Sequence, residues 1–168
     1  MDNGIISIIV SSVALVIALG TFMAFNKQYK KKPKVEDSSD SRHLQLQAYE
    51  RLVMLAERIA LPNLISRANQ PGVNARDMQI ILLESIKQEY EYNASQQIYV
   101  SPVAWEAMKN LKDQNMLMIN QVASALPPEA SSIDLNKILL EVIMKQQKGQ
   151  LHTIVLEALN YEARKLMK

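Results

Sequence analysis

At 168 residues, 48% apolar and with four glycines, the chain can close a core of its own, and one domain is the default. The absence of cysteine excludes disulfides, thiolate metal sites and cysteine nucleophiles, while nine methionines and no sustained apolar alternation favour helices over strands. The net charge of +2 hides an uneven distribution: Lys27, Lys30, Lys31, Lys32 and Lys34 form one basic flank. From Ser41 onward fourteen basic side chains stand against thirteen acidic ones, so no excess remains to hold a nucleic-acid backbone.

In chain order, the first element is "IISIIVSSVALVIALGTFMAF", Ile5 to Phe25, a run without a charge. As a helix it would be about 32 Å long, the thickness of a hydrocarbon core. Ala18 and Gly20 resemble a signal-peptidase site, yet Asp2 and no basic residue precede the run, which argues for a retained span over a cleaved leader. The lysines follow it, so the charge rule places the N-terminus outside, and the same five lysines would touch anionic lipid head groups. "PKVEDSSDS", Pro33 to Ser41, reads as a solvated linker. The expected organisation is therefore 1–25 as tail and transmembrane helix, 26–40 as flank and linker, and 41–168 as a cytoplasmic all-α domain.

Punctuation divides that domain into about five helices. Asp40 or Ser41 caps the first, which places Leu44, Ala48, Leu52, Leu55 and Ile59 on one face and stops at Pro62. A half-turn through Asn63, Leu64 and Ile65 leads to the turn at Pro71 and Gly72. Asn74 with Asp77 opens the second, whose buried stripe is Met78, Leu82, Ile86 and Tyr90, widened by Ile81. Ser101 before Pro102 starts the third, in which Ala104, Met108, Leu111, Met118 and Val122 recur up to Pro127 and Pro128. Ser131 with Asp134 caps the fourth, carrying Leu135, Ile138, Leu139, Val142 and Ile143, and Gly149 is its C-terminal cap. The fifth runs from Gln150, with Leu151, Ile154, Val155, Ala158, Leu159 and Leu166 facing inward. The result is a compact bundle behind one anchor.

Enzyme signatures are missing. His43 and His152 stand outside any H-E-x-x-H or E-x-x-H pattern, the glycines stand alone, and no serine lies in G-x-S-x-G, so no metal, cofactor or catalytic residue is assigned. One polar stretch stands out, "EYEYNASQQIYV", Glu89 to Val100, with Trp105 shortly after. Tyr90, Asn93, Gln97, Tyr99 and Trp105 are its candidate partner surface, though the favoured reading of the same side chains is that they fill and hydrogen-bond the corner between the second and third helices. Asn93 to Ser95 spell a glycosylation acceptor that a cytoplasmic location leaves unused. In "AYERLVMLAER", Glu50 and Glu57 lie beside Arg51 and Arg58 a heptad apart, as on a solvated, salt-bridged face.

"LQLQAYERLVMLAERIALPNLISR" followed by "EYEYNASQQIYVSPVAWEAMKNLK" resembles an uncharacterised family of small single-span membrane proteins of the Bacteroidota type. Its L-Q-A-Y-E-R-L motif stands at Leu46 to Leu52, and its E-x-x-x-N-x-S-Q-Q-x-Y-V-S motif at Glu89 to Ser101. The resemblance covers residues 44 to 168 and implies no activity; the expected location, the bacterial inner membrane, follows from the apolar run and the charge rule. The expected function is a non-enzymatic, membrane-anchored interaction module, an adaptor or accessory subunit of an inner-membrane complex with an unidentified protein partner. The alternatives are an enzyme using Glu89 as a base and a membrane protein self-associating through the small residues Ser11, Ala14 and Ala18.

Overall fold

The computed structural model describes residues 39–70, 72–145 and 151–167. They form six α-helices and one 3-10 turn: α1 (Ser39–Ile59), α2 (Leu61–Ala68), α3 (Ala75–Tyr92), the turn Ala94–Ile98, α4 (Pro102–Ala125), α5 (Ser132–Lys145) and α6 (Leu151–Leu166). The expected five helices become six because Pro62 opens a helix where it was expected to end one. The break falls at Ala60, whose extended backbone (ψ 124°) turns the chain, and Pro62 then lies in the first turn of α2, where its missing N–H leaves no bond unmade.

The other starts follow local chemistry. Asn74 caps α3 by accepting the Asp77 N–H at 2.8 Å, and Ser101 caps α4 by accepting the Ala104 N–H at 3.0 Å. Ser131 and Asp134 bond reciprocally at α5, Asp134 N–H to the Ser131 hydroxyl at 3.2 Å and Ser131 N–H to the Asp134 carboxylate at 3.0 Å. Gly72 carries a left-handed φ of +87°, and no heavy atom lies near the place a Cβ would take, so the turn needs glycine for conformation and not for space. The expected glycine cap at Gly149 lies outside the described residues.

Helix α3 packs on α2, α4 and α5, and α4 also packs on α5 and α6. Leu52, Leu55, Leu64, Met78, Leu82, Ile86, Met108, Leu111, Leu135 and Leu139 fill the shared interior. Two antiparallel bonds, Ala75 N–H to the Ala130 carbonyl (2.9 Å) and Ser132 N–H to the Val73 carbonyl (3.1 Å), clamp the starts of α3 and α5 together. Several expected inward positions shift. Leu44, Ile154 and Ala158 are exposed, and along α4 Asn115 and Ile119 occupy the buried positions next to a half-buried Met118. Asn115 is tolerated there because its amide donates to the Ile59 carbonyl at 2.8 Å, satisfying an end group of α1.

The membrane reading is corrected. Among the described residues no helix is long and apolar enough to cross a membrane. The run Ile5 to Phe25 and the lysines expected at lipid head groups, Lys27, Lys30, Lys31, Lys32 and Lys34, lie outside the described residues. The described helices bury one apolar face in a common core. The transmembrane helix, the N-terminus-out topology, the inner-membrane location, the adaptor role in a membrane complex and self-association through a span at Ser11, Ala14 and Ala18 are withdrawn with it.

Candidate functional site

An open groove of about 730 Å³ lies where α1, α2 and α3 meet. Its walls follow from helical spacing. Arg51, Met54, Leu55 and Arg58 share one stripe of α1, and Ser85, Gln88, Glu89 and Tyr92 share one stripe of α3, both at i, i+3, i+4, i+7. Helix α2 supplies Leu64, Arg67 and Ala68. Leu55 and Leu64 are fully buried and make an apolar floor, whereas Met54 and Tyr92 stand 59% and 75% exposed at the rim. A site so open suits a segment laid along it better than a small molecule enclosed within it.

Its polar centre is Glu89, whose side chain is only 17% exposed. One oxygen, Oε1, accepts from Arg58 Nε (2.7 Å), lies 2.6 Å from an Arg58 Nη, and accepts from Arg67 Nη1 (3.4 Å). Arg67 Nη2 also donates to the Arg58 carbonyl at 2.7 Å, tying α2 to the last turn of α1. Asn93, 6% exposed, donates its amide to the Glu89 carbonyl at 2.8 Å and closes the end of α3. Arg51 forms no ion pair with the described residues. Three guanidiniums thus face one carboxylate, leaving a surplus of positive charge and of N–H donors.

The five residues singled out from the sequence do not share one face. Tyr90 and Trp105 pack together, ring centres 5.0 Å apart and tilted by 32°, with the Lys112 ammonium 4.7 Å from the Tyr90 ring centre. Burial raises the Tyr90 pKa above its usual value, helped by the nearby charges of Asp113 and Glu106. Asn93 belongs to the groove wall. Gln97 and Tyr99 are on the surface, Gln97 bonding the Ala94 carbonyl at 2.9 Å and Tyr99 exposed by 40%. Sequence reasoning took Arg51 and Arg58 as partners of Glu50 and Glu57; in the structure Arg58 reaches Glu89, 31 positions away. Glu57 instead receives the Asn63 amide at 3.2 Å and approaches His152 Nε2 at 3.7 Å.

A second node joins the two sequence motifs. Tyr49 of the first donates its hydroxyl to the Glu162 carboxylate of α6 and accepts the N–H of Ser101, the last residue of the second, at 3.1 Å. The Ser101 hydroxyl donates to the same Glu162 oxygen at 2.6 Å. This node is closed on itself and holds helices together. Among the described residues no group of three or more His, Asp or Glu is placed to hold a metal ion.

The family model described as "Family of unknown function (DUF7935)" matches residues 3–166. It corrects the motif resemblance: an uncharacterised family is shown, and a single-span topology is not. No curated protein and no solved structure matches the chain.

Proposed function

We propose that this chain, which belongs to the DUF7935 family of unknown function, is a non-catalytic binding module whose groove between α1, α2 and α3 takes a ligand carrying an oxyanion. The observation that carries the reading is the convergence of Arg51, Arg58 and Arg67 on a groove with one carboxylate. Guanidinium forks match carboxylate and phosphate oxygens in shape as well as charge. A role for Glu89 as a catalytic base is less favoured by the same geometry, because the oxygen that would take a proton already receives guanidinium N–H groups from two helices.

The test is a two-dimensional NMR titration of the full chain with glutarate and, separately, inorganic phosphate. Shifts clustered on Arg51, Arg58, Arg67 and Tyr92, abolished in the double variant Arg58→Ala/Arg67→Ala and retained in Lys109→Ala on exposed α4, are the expected result. Shifts scattered over the surface, or none with either anion, would overturn the reading.

A further inference from the structure

We infer that the ligand of this groove is an acidic peptide segment, and that Glu89 is a built-in competitor occupying the arginine pair until the peptide's carboxylate displaces it. The inference rests on the reading of the groove as an oxyanion site and names its ligand and its specificity residue. Glu89 shows where a carboxylate sits against Arg58 and Arg67, but it uses the site incompletely. The guanidinium bonds to Glu89 all fall on Oε1, although the Nε and Nη edge of an arginine offers two parallel N–H groups to two oxygens. Glu89 is fixed to α3 and takes that edge with one oxygen. A ligand carboxylate free to rotate can take it with both, and Arg51 adds a donor that Glu89 does not use.

Shape and charge select a peptide. Arg51 and Arg58 lie two turns apart on α1, about 10 Å, with Met54 between them and Tyr92 across the groove. That pattern fits two carboxylates about three extended residues apart, flanking apolar side chains. The groove also adjoins the C-terminal ends of α1, α2 and α3, where helix carbonyls carry partial negative charge. Such a setting disfavours a doubly charged phosphate more than it does separated single carboxylates.

The probe is a fluorescein-labelled, end-capped peptide with two glutamates three positions apart and leucines between them, followed by fluorescence polarisation against the full chain. Glu89→Gln, which keeps the side chain's size, should tighten binding roughly tenfold by removing the competitor, and Arg51→Ala should weaken it by a similar factor. A glutamine-for-glutamate version of the peptide should not bind. Equal or weaker binding by Glu89→Gln, with its thermal transition intact, overturns the competitor role. On the unaltered chain, the Arg58 Nε–H resonance should move as the peptide replaces Glu89; a resonance that stays in place at saturation overturns it equally. If glutarate or phosphate binds and the peptide does not, the ligand class is wrong while the oxyanion groove stands; if none binds, both readings fall.

Discussion

Tyr49 shows how much one hydroxyl can hold. Its side chain is 4% exposed, and its oxygen links α1 to the start of α4 and to Glu162 of α6. Tyr49→Phe keeps the ring and removes the link, leaving the Ser101 N–H and the Glu162 carboxylate each short of a partner in a half-buried place. The expected loss is about 1–3 kcal/mol of unfolding free energy by urea titration at neutral pH. Burial, followed by the bond to Glu162, raises the Tyr49 pKa above 10. Its contribution is therefore complete below pH 10 and declines as pH rises through that value, because the unfolded chain releases the proton while the folded one retains it. Tyr49→Phe should flatten this alkaline decline without abolishing it, because burial raises the pKa of Tyr90 as well. Glu89, Asn93 and Arg51 are conspicuous in the sequence, but their meeting is not. Periodicity tells which face of a helix a residue occupies and is silent on which helix lies opposite, so the local pattern pairs Arg58 with its own neighbours and carries no signal for Arg67, while both reach Glu89.

The elements were more legible than the site. The caps of α3, α4 and α5 depend on bonds within three residues, and Asn74, Ser101 and Ser131 perform them as their spacing predicts. What the sequence obscured was the extra helix, because Pro62 carries opposite meanings at the end and in the first turn of a helix, and only the packing of Leu61, Leu64 and Ile65 into the core decides between them. The clamp between Val73–Ala75 and Ala130–Ser132 is likewise a long-range pairing without a local signal. The Ser131 hydroxyl serves the cap and makes no bond of the clamp, so Ser131→Ala is expected to lower stability by about 1 kcal/mol through the cap alone, read as a shifted urea midpoint with an unchanged slope. Its bonds to Asp134 also hold that carboxyl below its ordinary pKa. The stabilising effect of that shift is present above the ordinary carboxylate value and disappears as pH falls through the lowered one, and the variant should lack this acid-side component.

Over the whole bundle, the test of unity is α6, which residues 146–150 separate in sequence from α5. Val155 and Leu159 are buried in the same core as Leu52 of α1 and Leu111 of α4, and Glu162 ties the helix to Tyr49 and Ser101. An appended helix would detach at low cost and leave the rest folded. A helix sharing the core cannot, because its departure exposes apolar faces on its neighbours as well as its own. Leu159→Ala is accordingly expected to cost about 2–5 kcal/mol, the usual range for emptying a fully buried leucine site. Helix content by circular dichroism and the emission of Trp105, the single tryptophan, should then fall on one shared denaturation curve at an earlier midpoint. Trp105 lies on α4 against Tyr90, so it reports the interior rather than α6 itself. If ellipticity is lost at lower denaturant than the Trp105 signal, α6 unfolds by itself, and the link from Glu162 to the two motif residues does not couple it to the bundle.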